Sequence, residues 1–365
     1  MKAAVISLGS VSSKWIVKAM SKYFDSVDNI DIRDIEINIS AEKLNVLYKG
    51  KQLGDYDCIY AKGSFRYQPI LRAITTALYD NAYMPIKAPA FTVGHDKVLT
   101  QLDIQKNNIP MPKTYLSSSA QAAKKILEKM NYPLVMKFPS GTQGKGVMFA
   151  DSYSSASSML DALSALRQPF LIQEYVETGG VDTRAIVIGD KVVASMKRES
   201  TQGEKRANIH AGGSGKACEL DEYTKKIAIE TAHIIGADIC AVDILESAKG
   251  PVVIEVNLSP GLQGIMKATK IDVADKIAKY FYKKAEERTE STKKIGTTKL
   301  MEELGIHKED KLKEILTNLD FRGNRILLPE AVTNITKFND KDEYSLISEE
   351  DYLIIKKFAV NSKKK

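Results

Sequence analysis

Cysteine is scarce in this sequence: the 365 residues hold only three, Cys58, Cys218 and Cys240, with no paired spacing. That excludes a disulfide framework and a cysteine zinc site as organising features. Cys240 stands in an apolar, strand-like run, where a free thiol behaves as a small hydrophobe. No run approaches the roughly 20 apolar residues that a membrane span requires, and the opening MKAAVISLGSVSSKW reads as a strand entering a loop, without a signal-peptide cleavage pattern. A cytoplasmic protein without membrane contact is expected. No GK[ST] opens a helix, which excludes a P-loop, and no repeat of solenoid period occurs.

What is present is an ordinary globular composition, 44% hydrophobic, with a formal net charge of +7. A positive excess serves nucleic acid or a small anionic substrate equally well. From Lys283 onward the chain carries 18 Lys/Arg against 16 Asp/Glu, so the excess lies mostly earlier. A nucleic-acid partner is therefore not expected, and an anion such as ATP is favoured.

Strand-like and helix-like segments alternate at the start: AAVISL, a helix over about 13–23, IDIRDIEINI, then DCIYAKG. This pattern predicts a small α/β domain with a parallel sheet over 1–90. Pro85 and Pro89 punctuate its end. A helix through KVLTQLDIQKNNI follows, then a helix through AQAAKKILEKM, the strand PLVMKF, the loop SGTQGKG and the strand VMFA. Strand, glycine loop, strand predicts a hairpin whose loop can move over a ligand. Beyond it lie FLIQEYV, AIVIG, KVVASMKR, a long helix, DICAVDIL and PVVIEVN, joined mostly by tight turns, so 91–284 should be mainly antiparallel α+β. AEERTESTKKIG reads as a linker within 285–320, and 321–365 as a small β tail.

Chemistry concentrates in AVDILESAKGPVVIEVNLSPG. A hairpin centred on Lys249 sets Asp243 opposite Glu255, and the period-2 rule puts Asn257 on the face of Glu255. An all-oxygen set suits Mg²⁺ bridging phosphates better than zinc. Spacing alone leaves a pair of surface carboxylates equally open. The SGTQGKG loop, with Gly144 and Lys145, offers backbone N–H groups and an ammonium for phosphate; it also reads as a plain turn. Lys137 interrupts an apolar strand, and a buried lysine needs an anion unless it snorkels. Gln173, Glu174, Tyr175 and Val176 end a strand whose edge can read adenine, with Asp182 beyond to accept ribose hydroxyls. In RANIH, Arg206, Asn208 and His210 point one way, with Arg198 a short loop upstream. Such a set suits phosphate or carboxylate; a surface histidine is the plain alternative. Lys62, Ser64 and Arg66, ending a strand in YAKGSFRY, can hold a substrate carboxylate or form an ordinary loop.

Taken in order, Lys97, Lys137, the glycine loop, QEYV, Asp182, RANIH-AGG, AVDIL and IEVNLSPGLQGI resemble the ATP-grasp superfamily and, within it, the RimK-type α-L-glutamate ligases, over about 85–282. The resemblance implies an α/β N-terminal domain followed by an α+β ATP-grasp fold whose two subdomains clamp ATP, plus a small mainly β C-terminal extension. Lys97 and Lys137 would bind ATP phosphates, Glu174 to Val176 the adenine and Asp182 the ribose. Arg206 and Asn208 would sit catalytically at the γ-phosphate, and Asp243, Glu255 and Asn257 would hold two Mg²⁺, or Mn²⁺ in their place. The stretch between QEYV and Asp182 is about a residue shorter than the family pattern. The implied activity is ATP-dependent carboxylate–amine ligation through an acylphosphate, adding glutamate to a protein C-terminus, a glutamyl cofactor or a peptide, in a homo-oligomer. Ligases of the lysine-biosynthesis or glutathione-synthase kind are the alternative within the superfamily. Outside it, the tail RILLPEAV…EYSLISEEDYLIIKKF loosely resembles the AbrB-like DNA-binding fold, which would make a regulator.

Overall fold

The computed structural model describes residues 1–117, 119–139, 146–165, 167, 169–200, 214–303, 320–323, 325–340, 342–349 and 352–357. Compactness divides the chain into Met1–Lys294 and Ile295–Lys365. The first unit opens with β1 (Lys2–Ser7), α1 (Val11–Met20), β2 (Ser26–Asp31), β3 (Ile35–Ile39), β4 (Leu44–Tyr48), β5 (Lys51–Gln52) and β6 (Cys58–Ala61). Three helices follow: α2 (Gln68–Leu78), α3 (Ala88–Val93) and α4 (Lys97–Lys106). As the alternation predicts, β1 lies between β2 and β6 in a parallel sheet. Its residues from Ala3 to Ser7 are all buried, the near-continuous apolar pattern of a strand covered on both faces.

IDIRDIEINI is not one strand. Asp31 accepts the Arg33 backbone N–H at 2.9 Å and pairs with its guanidinium at 2.6 Å, forming a 3₁₀ turn at Ile32–Asp34. A local side chain to backbone bond of this kind competes with the ladder and turns the chain out of the sheet. The second half, β3, then pairs antiparallel with β4.

The next group is β7 (Thr114–Leu116), α5 (Ala120–Leu127), β8 (Leu134–Lys137), β9 (Val147–Ala150), α6 (Tyr153–Ala165) and β10 (Leu171–Glu174). These strands form an antiparallel sheet of order β7-β10-β8-β9 with a core of its own, built on Leu134, Met136, Leu160 and Ile172. The β8–β9 hairpin is the one the glycine loop predicts; the loop itself, 140–145, lies outside the described residues.

A larger antiparallel sheet of order β13-β12-β11-β14-β15 follows. It comprises β11 (Val181–Ile188), β12 (Lys191–Glu199), β13 (Ser214–Ala217), β14 (Ile239–Ser247) and β15 (Gly250–Asn257), with α7 (Glu222–Ile235) packed across it. Asp221 caps α7 by accepting the Thr224 N–H at 2.8 Å, and Gly236 ends it at φ +81°, the left-handed geometry that favours glycine. This sheet shares one hydrophobic core with the parallel sheet, so the region before residue 90 is packed onto it. Asp238 donates its backbone N–H to the Pro85 carbonyl at 2.7 Å and accepts the Tyr83 hydroxyl at 2.6 Å across that seam.

After α8 (Gln263–Thr269), α9 runs from Val273 to Glu303. The linker expected at AEERTESTKKIG is therefore helical. Its Ala, Glu, Lys and Arg residues are strong helix formers, Glu287 pairs with Lys283 and Lys284 on the preceding turn, and Arg288 donates to the Asp80 carbonyl. A charged composition alone did not distinguish a solvated helix from a linker. No described helix is long and apolar enough to cross a membrane. The second unit contains the hairpins β16 (Asp320–Arg322) with β17 (Arg325–Leu327) and β18 (Tyr344–Glu349) with β19 (Tyr352–Lys357), and the helix α10 (Glu330–Thr336).

Candidate active site

On the β14–β15 hairpin Asp243 lies opposite Glu255, as predicted, and Asn257 opposite Ala241, but the turn pairs Ser247 with Gly250 instead of centring on Lys249, and a bulge between Asp243 and Ile244 brings Glu255 into place. Asp243 is buried, Glu255 and Asn257 half-buried. Two further strands extend this charged row. Arg184 on β11 is directly across from Asp243, and Asp182 on the same strand is directly across from Arg198 on β12. Arg184 grips Asp243 with Nε to Oδ1 at 2.8 Å and Nη2 to Oδ2 at 2.7 Å. Arg198 grips Asp182 at 2.5 and 2.6 Å and reaches Asp243 Oδ2 at 2.9 Å. The four side chains make a neutral, hydrogen-bonded tetrad, the condition under which buried charges are tolerated.

The two carboxylates respond differently to this shared burial. Burial opposes the charge of Asp243, yet the two guanidiniums outweigh it and hold the carboxyl well below the usual carboxylate range. For Asp182, burial and the neighbouring Asp243 charge push the carboxyl up to about 6 against the pull of Arg198. Arg198 is divided between two acids, and Asp243 alone has a second arginine.

The donor set fits a hard cation. Three hydrogen bonds to arginine occupy Asp243, leaving acceptor capacity on Oδ1. Asn257 Oδ1 accepts one bond, from the Ser259 N–H at 3.0 Å. The Glu255 carboxylate makes no hydrogen bond or ion pair among the described residues. Two carboxylates and an amide on one sheet face, with lone pairs to spare, are oxygen ligands of the kind Mg²⁺ takes.

Opposite this row stands Lys137, the last residue of β8, whose ammonium donates to Gln173 Oε1 at 2.7 Å. Gln173 in turn donates to Thr114 Oγ1 at 2.7 Å. Burial pushes Lys137 down to about 8, with Glu255 opposing that shift and Lys97 adding to it. Lys137 is thus within electrostatic reach of Lys97 and of Glu255 on the larger sheet. Lys97 is the first residue of α4, capped by Asp96, and its backbone N–H is bonded to the Pro139 carbonyl at 3.0 Å, which ties the helix start to the end of β8. At the far side of the loop, Gly146 adopts φ +79°, and a Cβ there would lie 2.2 Å from the Phe138 ring.

The strand edge is also in place. Glu174 is exposed, with its carboxylate accepting the Lys113 N–H at 2.8 Å, and Tyr175 packs edge-on to Phe149. Val176 is half-buried. Lys62 is buried, Ser64 half-buried and Arg66 exposed. Gly144 and Lys145, together with Arg206, Asn208 and His210, lie outside the described residues. Asp182 and Arg198, expected at ribose and at substrate respectively, are each other's partners. Arg184 was not among the expected residues; its position two along from Asp182 on an apolar strand was the available signal, and only the register with Asp243 gives it meaning.

A small antiparallel sheet with a lysine at the end of an inner strand, within reach of a larger sheet that carries an Asp–Glu–Asn oxygen cluster, is the arrangement of the ATP-grasp class of ligases. A RimK-like ATP-grasp domain model matches residues 94–281. The chain is 34% identical over 304 residues to a probable alpha-L-glutamate ligase of Vibrio cholerae, covering 81% of this chain and 100% of that one. It is 35% identical to another so named from Aliivibrio fischeri, covering 81% and 99%. The chain belongs to the RimK-like ATP-grasp family and is an ATP-dependent ligase forming C–N bonds. Among solved structures, the ATP-grasp ligase PsnB, complexed with a minimal precursor, Mg and ADP, aligns with TM-score 0.62 at 14% identity, over 78% of this chain and 98% of that one. A RimK domain ATP-grasp protein of Sphaerobacter thermophilus aligns with TM-score 0.60 at 18% identity, over 77% and 99%.

Proposed function

We propose that the protein joins the amine of L-glutamate to the carboxylate of an acceptor, activating that carboxylate as an acylphosphate with ATP. The observation that carries this reading is the placing of Lys137 within reach of both Glu255 and Lys97, with the Lys97 N–H bonded to the Pro139 carbonyl just past β8, which brings cations suited to phosphate beside oxygens suited to a metal. The choice of glutamate rests on the names of the relatives from Vibrio and Aliivibrio.

A carboxylate is a poor acyl donor because oxide is a poor leaving group, and transfer of the γ-phosphoryl group to it creates a better one. During transfer, charge spreads over the phosphoryl oxygens, and preorganised donors stabilise it without reorganising. Lys137 is oriented for this by the Gln173–Thr114 chain, and Lys97 by its place at the start of α4. Mg²⁺, when bound by Asp243, Glu255 and Asn257, supplies Lewis-acid stabilisation of the phosphates. No side-chain nucleophile is required. Arg206 and Asn208 are assigned to the γ-phosphate, Glu174 to Val176 to adenine, and the glycine loop to exclusion of water from the acylphosphate. Asp182 keeps its assignment to the ribose only if nucleotide draws it from Arg198.

Incubation with ATP, Mg²⁺ and each amino acid in turn, over a panel of protein C-termini, glutamyl cofactors and peptides, tests the reading. Glutamate-dependent ADP release with glutamyl mass increments on the acceptor is expected. ADP release supported only by a different amino acid would sink it.

A further inference from the structure

The chain leaves β1 toward β2 on one side and returns to β6 on the other. The carboxyl ends of β1 and β6 therefore flank a switch point in strand order, where diverging connections leave a crevice in open parallel sheets. Lys62 is the first residue beyond β6, and its backbone N–H is bonded to the Ile6 carbonyl on β1 at 2.9 Å. Its side chain is only 4% exposed. The ammonium lies 5.5 Å from the centroid of the Tyr60 ring, and no carboxylate among the described residues pairs with it. Burial, with no charged neighbour, pushes its amine down to about 8.

The crevice is joined directly to the metal hairpin. Asn257 Oδ1 accepts the Ser259 N–H at 3.0 Å, Ser259 Oγ accepts the N–H of Gly63, the neighbour of Lys62, at 3.0 Å, and Ser12 Oγ near the start of α1 accepts the Leu262 N–H at 2.8 Å. One turn, from Ser259 to Leu262, thus connects a candidate magnesium ligand to both lips of the crevice. Lys137 is half-buried and has Gln173 as a neutral acceptor; the more deeply buried Lys62 has the Tyr60 ring as its neighbour. An ammonium whose stem is buried, and whose tip meets an aromatic face and solvent but no carboxylate among the described residues, is placed to take an anion from solution.

We propose that Lys62 anchors a substrate carboxylate in the crevice between the carboxyl ends of β1 and β6, one turn from the metal hairpin. A single point-charge donor matches a single carboxylate, leaving the pair neutral, whereas a phosphate with two negative charges would remain half compensated. Ser64 is half-buried and Arg66 exposed, and the subsite is argued from Lys62. The carboxylate belongs either to the incoming amino acid or to the acceptor. The proposal rests on the ligase reading.

Calorimetric titration of the full chain, saturated with Mg²⁺ and ADP, separates the two sources with L-glutamate and the dipeptide Glu-Glu as probes. Lys62→Met should weaken one probe by about tenfold or more, leave MgADP affinity within about twofold, and leave the thermal midpoint unchanged or higher, because a buried charge is removed. Lys62→Arg should recover part of the lost affinity. Loss confined to glutamate assigns the site to the amino acid, and loss confined to Glu-Glu assigns it to the acceptor. Wild-type affinities for both probes in Lys62→Met, a lowered thermal midpoint, or a wild-type chain that binds MgADP but neither probe would overturn the proposal. Failure of the wild type to bind MgADP would instead count against the ligase reading. Should Lys62→Met not fold, lysine side-chain NMR on the wild type, with Lys62→Arg assigning the peak, reads the same contact, and a Lys62 signal unmoved by both probes is the overturning result.

Discussion

The two sheets that face the nucleotide cleft handle buried charge in opposite ways. On the larger sheet, Asp182, Arg184, Arg198 and Asp243 neutralise one another with a fork of hydrogen bonds. On the smaller sheet, Lys137 is hydrogen-bonded to a neutral amide, with the Glu255 charge within reach but no carboxylate among the described residues paired to it. The first arrangement fixes the direction of a carboxylate whose remaining lone pairs can meet a cation. The second stores positive charge for an anion that arrives with the substrate. Stability should therefore rest in the paired tetrad, and binding energy in the unpaired Glu255 and Lys137, and substitutions in the two groups should behave accordingly.

The largest effect should come from Glu255→Gln, which removes a carboxylate with no structural partner. Ligation and ADP formation should fall roughly 10³-fold or more, about 4 kcal/mol in transition-state terms, with circular dichroism and thermal midpoint unchanged. Near-normal turnover would break the metal assignment. Arg198→Ala does the reverse, since it strands the buried Asp182 and strips Asp243 of one of its two arginines; urea denaturation should show a loss of about 3–5 kcal/mol. A loss under 1 kcal/mol would show the tetrad to be dispensable.

Lys137→Met should raise the Kd for ATP about 10- to 100-fold, roughly 1.4–2.8 kcal/mol, without lowering stability. Its pH dependence sharpens the contrast. Lys137 is held below its ordinary value of 10.5, down to about 8, so between those values the unfolded chain binds the extra proton. The cost of burying it is therefore fully present below about pH 8 and relieved as pH rises toward 10.5. ATP affinity should move the other way, falling as pH rises through 8, and this fall should vanish in Lys137→Met. Smallest of all, Gln173→Leu leaves the lysine in place but unoriented, and steady-state kinetics should show a KM for ATP raised about three- to tenfold, about 0.6–1.4 kcal/mol.

Much of the cleft was legible in sequence because it is built from local patterns. Glu255 and Asn257 share a face by the two-residue period of strands, whereas the turn pairs Ser247 with Gly250 and a bulge between Ile244 and Asp243 is needed to bring Glu255 opposite Asp243. The β8–β9 hairpin follows from a glycine-rich break between apolar runs. The IDIRDIEINI strand was misread because the Asp31–Arg33 bond, a two-residue contact, outweighs β propensity there. AEERTESTKKIG was misread because linker and solvated helix share a composition, and the choice between them was made by pairings such as Arg288 with Asp80, which are 208 residues apart.

By itself, then, the sequence determined which residues could carry the chemistry: three oxygen ligands on one hairpin face, two lysines, and a strand edge for a base. Tertiary structure alone decided which of these charges remain available. Asp182 and Arg198 read as independent ligand contacts until β11 and β12 set them side by side, and Arg184 drew no notice until β11 was laid against β14. Lys62 looked like one of three polar residues in a loop, and burial at the switch point set it apart. Charge is a property of a residue, but whether it is compensated depends on partners brought together from distant parts of the chain.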